Sequence, residues 1–189
     1  MKAKSICVFC SANEGLPTSF SQEAELLCAE LQKNGAELLY GGSRDGLMGH
    51  FADQALARGV RVRGALTKRL DLTSETRHKG LTELVMVKDL FERKQWFLEQ
   101  ADAFVVFPGG IGTLDEALEV ISWKGLGEID KPIVFVNIDG FWDSMIAMFK
   151  DLAKRGVLRE GALKSFDVVS SSRDVFNCFE SYEYQSKGV

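Results

Sequence analysis

Short apolar runs alternate with longer stretches of helical periodicity along almost the whole chain. The runs are Ser5–Cys10, Glu37–Tyr40, Val60–Leu66, Glu83–Val87, Ala103–Phe107, Ile133–Asn137 and Asp167–Ser170. Several are rich in Val, Ile and Phe, the composition of strands buried on both faces. Helical patterns fill the intervals near 18–33, 46–58, 89–101, 113–125, 140–155 and 172–182. Such alternation implies parallel strands joined by right-handed crossovers, since a tight hairpin cannot reach a parallel neighbour. The pattern predicts an α/β fold: a doubly wound, mostly parallel sheet of about seven strands flanked by helices. No repeat, linker or low-complexity tract interrupts the 189 residues, so one domain over 1–189 is expected. Leu66–Gly80 is the longest polar stretch and reads as a surface loop or short helix. Ligands bind such sheets at the loops after the C-terminal ends of the strands, so the chemistry is sought there.

Composition narrows the partners. With 23 basic and 27 acidic residues the net charge is −4, which gives no footprint for nucleic acid or an anionic membrane. A single phosphate needs only a local pocket and remains open. No apolar run approaches the roughly 20 residues of a membrane helix. The opening run to Cys10 is too short and interrupted for a signal peptide, so a cytoplasmic location is expected. Cys7-x-x-Cys10 has a metal or redox spacing, but Cys28 and Cys178 are isolated and supply no second pair. Plain core or strand-end thiols are expected, with no metal site.

The most informative segment is Ala103-Phe-Val-Val-Phe-Pro-Gly-Gly-Ile-Gly-Thr-Leu-Asp-Glu-Ala-Leu118. A buried strand ends at Phe107, the glycines make a turn with little bulk, and a helix starts near Thr113. Amides at a helix N-terminus lack partners and sit at the positive end of the dipole. Glycines let a phosphate approach them closely. Thr113-x-x-Glu116 also matches a capping box, in which Glu116 merely holds the helix start. That role leaves unexplained three glycines in four positions and the acidic cluster Asp115, Glu116 and Glu119. A carboxylate one turn from a phosphate cradle suits a ribose beside its own 5′-phosphate.

The preceding helical pattern, 89–101, puts Leu90, Phe97, Leu98 and Ala101 on one face at about 100° per residue. Lys94 falls within that face and Arg93 at its edge. Lys94 must therefore snorkel, pair or line a cavity, whereas Arg93 could simply be a surface residue. Since the next strand carries the glycine turn, either cation could border it. Tyr40-Gly-Gly-Ser-Arg-Asp-Gly-Leu-Met-Gly-His50 also runs from strand through glycines to helix and is a second possible nucleotide loop, but its spacing is not that of a dinucleotide loop. Tight turns and close helix packing explain it equally well. His50 and His78 sit in no recognisable metal set or nucleophile triad.

These residues resemble a known family. Pro108-Gly-Gly-Ile-Gly-Thr-Leu-Asp-Glu116 matches the P-G-G-x-G-T-x-x-E motif of the LONELY GUY phosphoribohydrolases, which act on cytokinin riboside 5′-monophosphates and are often mislabelled lysine decarboxylases. Arg93-Lys94 falls on the family's R-K pair. Tyr40-Gly-Gly, Gly46-Leu-Met-Gly49, Asp130-Lys-Pro and Asn137-Ile-Asp-Gly-Phe-Trp142 resemble further family elements, so the likeness runs from Cys7 to about residue 170. It implies a Rossmann-like fold, a homodimer with sites near the interface, and Arg93 and Glu116 as the catalytic pair. It also implies substrate contacts from Gly109, Gly110, Ile111, Gly112, Thr113, Leu114, Asp115 and Glu116, with Lys94, Glu75 and Ser122. Trp96, on the polar side of its helix, would suit the interface. The chain departs from the family at Leu90-Phe91, where Met-His is usual, at Ser43 for glycine, at Thr67 for proline, and at Ser11-Ala12-Asn13 for G-S-S.

The expected reaction is hydrolysis of the N-glycosidic bond of a nucleoside 5′-monophosphate, AMP or a cytokinin riboside monophosphate. Breaking the C1′–N bond builds positive charge on the ribose, as in glycoside hydrolysis. Glu116 could stabilise that charge, hold the ribose hydroxyls or orient water. Arg93 could bind the phosphate, orient Glu116 or assist the leaving base. No cofactor is expected. The alternative is a non-catalytic nucleotide or molybdenum-cofactor carrier on the same fold. An NAD-type oxidoreductase lacks its loop spacing and acidic strand end, and a lysine decarboxylase lacks a pyridoxal-lysine context.

Overall fold

The computed structural model describes residues 3–74, 76–158 and 162–186. Its strands are β1 (Ser5–Phe9), β2 (Glu37–Tyr40), β3 (Val62–Thr67), β4 (Glu83–Val87), β5 (Ala103–Val106), β6 (Ile133–Val136) and β7 (Asp167–Val169). They alternate with α1 (Thr18–Asn34), α2 (Gly46–Ala57), α3 (Lys68–Ser74), α4 (Leu90–Gln100), α5 (Ile111–Leu126), α6 (Asp143–Lys154) and α7 (Val175–Ser186). All seven expected runs are strands, within one or two residues. The polar stretch after Leu66 contains the short helix α3. Thr67, at the family's proline position, starts it: its hydroxyl accepts from the Leu70 amide at 3.2 Å.

The strands form one sheet in the order β4-β3-β2-β1-β5-β6-β7. Every pairing is parallel, as buried apolar strands with helical crossovers require. Helices cover both faces. On one, α1, α2 and α7 bring Leu27, Leu31, Phe51, Phe176 and Phe179 onto Ile6, Val8, Leu38 and Val105. On the other, α4, α5 and the start of α6 bring Phe97, Leu98, Ala117, Val120 and Trp142 onto Phe9, Phe104 and Phe135. Cys7, Cys10 and Cys28 are buried, and their thiols, like that of Cys178, are free.

The chain order reverses between β1 and β5, which leaves a crevice at their carboxyl ends where such sheets bind ligands. The loop after β1 and the glycine turn after β5 meet there. The Ser11 amide donates to the Pro108 carbonyl at 3.2 Å, and the Met48 amide at the start of α2 donates to the Ser11 carbonyl at 3.2 Å.

Candidate active site

The helix carrying the glycine turn begins two residues earlier than its sequence pattern suggests. Gly110 is the N-cap of α5, with no side-chain capping bond, and Ile111 is the first helical residue. Thr113 and Glu116 therefore lie inside the helix, and the capping box that their spacing also allowed does not form. Glu116 is instead 9% exposed, on the sheet-facing side of α5 beside Ala117 and Val120. A carboxyl group held there has a task other than capping.

The glycines divide their work. A Cβ on Gly109 would overlap the Thr113 hydroxyl, so this glycine lets Thr113 fold back under the turn. A Cβ on Gly110 or Gly112 would meet no protein atom within 4 Å. Their bareness serves no packing purpose and leaves the N-terminal amides of α5 open to a ligand. Helix amides and the dipole both favour an anion at such a place. Ile111, 83% exposed, stands at the rim, and Leu114 is partly buried against the core.

On α4, Lys94 pairs, one of the roles its position in the apolar face left open, while Arg93 is more buried than its edge position suggests. Arg93 is the buried one at 9% exposure, while Leu90, expected in the apolar face, is 53% exposed. Arg93 reaches across the carboxyl ends of two strands: Nε donates to the Ala65 carbonyl at 3.0 Å and Nη2 to the Gly41 carbonyl at 3.2 Å. The guanidinium carbon lies 5.4 Å from the centre of the Phe97 ring, and Nη2 is 3.9 Å from Glu116 Oε1. These carbonyls outrank helical periodicity, because a buried carbonyl without a donor costs free energy and arginine supplies several N–H groups. Lys94 lies beside the site and is tied to α5, 2.8 Å from Glu119 Oε2 and 3.3 Å from Asp115 Oδ2. Burial lowers the Lys94 pKa, but the bonds to Glu119 and Asp115 outweigh it and hold the ammonium charged.

Burial pushes the Glu116 pKa up from its usual value, and the neighbouring Asp115 and Glu119 charges add to the shift. Arg93 and Lys94 oppose it. Glu116 is thus a poorly solvated carboxyl group beside a cation held by two backbone carbonyls. Desolvated charges of this kind recur where chemistry is done.

The structure brings Arg93, Lys94, Gly109–Thr113, Asp115 and Glu116 to one place. It does not bring Ser122 there: that residue is exposed on another face of α5, in a groove with Leu118, Ile121, Phe149 and Val157. Glu75 lies outside the described residues. Trp96 is half-buried, edge-on to Phe97 and covered by the Arg63 guanidinium 5.1 Å from its ring centre, so its exposed face is smaller than its helix position suggests. In the sequence Gly41 and Ser11 belong to separate segments with no sign of a shared site. Only the strand order, which sets β1 between β2 and β5, could have shown that their loops border the same crevice.

A family model described as "possible lysine decarboxylase" matches residues 48–179. A probable cytokinin riboside 5′-monophosphate phosphoribohydrolase of Oryza sativa subsp. japonica is 37% identical over 177 residues, covering 94% of this chain and 79% of the relative. The chain belongs to the LONELY GUY phosphoribohydrolase family. A bacterial member, the cytokinin riboside 5′-monophosphate phosphoribohydrolase of Rhodococcoides fascians, is 37% identical over 155 residues, covering 82% of this chain and 78% of that one. Among solved structures, the Moco carrier protein of Chlamydomonas reinhardtii superposes with a TM-score of 0.71 over 96% of this chain and 98% of its own, at 17% identity. That likeness establishes the Rossmann-like fold and nothing about ligand.

Proposed function

We propose that this protein hydrolyses the N-glycosidic bond of AMP or a cytokinin riboside 5′-monophosphate, releasing free base and ribose 5-phosphate. The observation that carries the reading is the buried Glu116 carboxyl, one turn inside the helix whose bare N-terminal amides form an anion cradle, with Arg93 3.9 Å away. The substrate phosphate binds the amides of Gly110–Thr113. The ribose then lies along the first turn of α5, with C1′ over Glu116. As the C1′–N bond breaks, its electron pair leaves with the base, and the carboxylate faces the positive charge left on the sugar. Water adds to C1′ and the base takes up a proton. The phosphate contact, remote from the reacting bond, positions the sugar. Arg93, whose Nε and Nη2 donate to backbone carbonyls, orients Glu116.

Phe91, 79% exposed, and Leu90 on the first turn of α4, and Ile111 on the first turn of α5, leave apolar side chains exposed. We assign these side chains to a homodimer interface, testable by sedimentation. Four free thiols suit a reducing cytoplasm. The decisive assay incubates the purified protein with AMP, isopentenyladenosine monophosphate and adenosine, and follows free base and ribose 5-phosphate by chromatography. Release from the monophosphates alone supports the reading. Release from none of them, or equally from adenosine, overturns it.

A further inference from the structure

Gly41 follows β2 and lies 52 residues before Arg93, yet its backbone is in direct contact with that guanidinium. Arg93 Nη2 donates to the Gly41 carbonyl, and a Cβ on Gly41 would overlap the same Nη2 atom. The second close neighbour of such a Cβ is the Met48 methyl, at 2.8 Å. Gly41 does not have the positive φ that marks Gly42 and Gly46, so backbone conformation does not demand glycine here. The space does. Both atoms a methyl would meet belong to the ends of flexible side chains, so the fold can accommodate it by moving them. What it cannot keep is the position of Arg93 beside Glu116.

We propose that Gly41 is a positioning residue for this reaction: its missing side chain leaves the space in which Arg93 is clamped between the Gly41 and Ala65 carbonyls and held beside Glu116. The loop after β2 thereby sets the geometry of the catalytic pair without touching substrate. This rests on the hydrolase reading above and assigns the first glycine-rich loop a role other than holding nucleotide. The charged and titratable groups within electrostatic reach of Glu116 are Arg93 and Lys94 from α4, Asp115 and Glu119 from its own helix, and the Cys7 and Cys10 thiols from the β1 segment. Of these only Arg93 touches Gly41. Displacing it removes a charge that favours the ionised carboxylate, so the acid limb of kcat must move to higher pH.

The test is a double-mutant cycle of Gly41→Ala and Arg93→Ala, with the Glu116→Gln protein assayed alongside. Gly41→Ala should lower kcat for AMP at least about tenfold, leave KM within about threefold, and raise the acid limb. Added to Arg93→Ala, it should cost nothing further in kcat, because the guanidinium it displaces is gone; the Met48 methyl must still shift, so melting temperature falls by a similar small amount in both backgrounds. Wild-type kcat and pH profile in Gly41→Ala overturn the proposal. So do additive losses in kcat. No release of base from AMP by the wild-type protein would instead sink the hydrolase reading, and a fully active Glu116→Gln protein would sink the role given to Glu116; an inactive Glu116→Gln protein beside an unaffected Gly41→Ala sinks this inference alone.

Discussion

Arg93 Nη2 lies 3.9 Å from Glu116 Oε1, close enough for a strong charge interaction and too far for a hydrogen bond. The guanidinium is anchored to the Ala65 and Gly41 carbonyls and does not collapse onto the carboxylate. Glu116 therefore makes no hydrogen bond to this cation, and its oxygens keep acceptor capacity beside a guanidinium held by two backbone carbonyls. A tighter pair would be a structural ion pair with little left for a substrate.

Glu116→Gln separates catalysis from packing. Glutamine preserves shape but cannot face a developing positive charge with a negative one. Turnover of AMP should fall by at least about two orders of magnitude, roughly 2.7 kcal/mol of transition-state stabilisation. AMP binding should persist in calorimetry. Near-normal turnover would contradict the mechanism. Asp115→Asn should change turnover only a few-fold, because Lys94 keeps Glu119 at 2.8 Å.

The same substitution predicts a pH effect on stability. Burial raises the Glu116 pKa in the folded protein, so the folded state holds the proton more tightly than the unfolded one. Stability from this group is greatest below the unfolded pKa and is lost as pH rises through the folded pKa. At neutral pH the ionised carboxylate is thus a cost. Glu116→Gln should melt at or slightly above wild type at pH 7, and the gap should close in acid. A gap that widens on acidification would show that the carboxylate stabilises the fold.

Activity should carry the same signature with opposite consequence. The mechanism needs the ionised form, so the acid limb of kcat should lie above the ordinary carboxylate range, a limb that Glu116→Gln removes from its residual rate. A limb at or below that range would mean that another group titrates.

Arg93→Ala should damage both function and fold. It removes the cation beside Glu116 and leaves the Ala65 and Gly41 carbonyls without this donor. Turnover should fall steeply, and stability should drop by about 1–3 kcal/mol in denaturant titration. A surface arginine would show neither loss.

Gly112→Ala tests the cradle. Its Cβ meets no protein atom, and alanine favours helix over glycine, so the variant should be as stable as wild type or up to about 1 kcal/mol more. Its KM for AMP should rise because the methyl intrudes where the phosphate sits. Gly109→Ala, which overlaps Thr113, should destabilise the protein instead. An unchanged KM in a stable Gly112→Ala protein would remove the phosphate from the α5 N-terminus.

The chain by itself determined the strands, the helices between them and the glycine turn. Strands buried on both faces must be continuous apolar runs, and a bare turn before a helix must be written in glycines; both signals are local. The tertiary structure decided what faces what. Periodicity along α4 put Lys94 inside and Arg93 at the edge, yet Arg93 is buried because carbonyls 28 and 52 residues away need donors. The Thr113–Glu116 spacing read equally as a cap, and only the start of α5 at Ile111 places Glu116 beyond capping reach. Ser122 shares a helix with Glu116 but opens on another groove. Gly41 is bare because of an arginine on the third helix after it, with two strands between. Such facts depend on which strands lie side by side and how far one side chain reaches across them, and no local spacing encodes either.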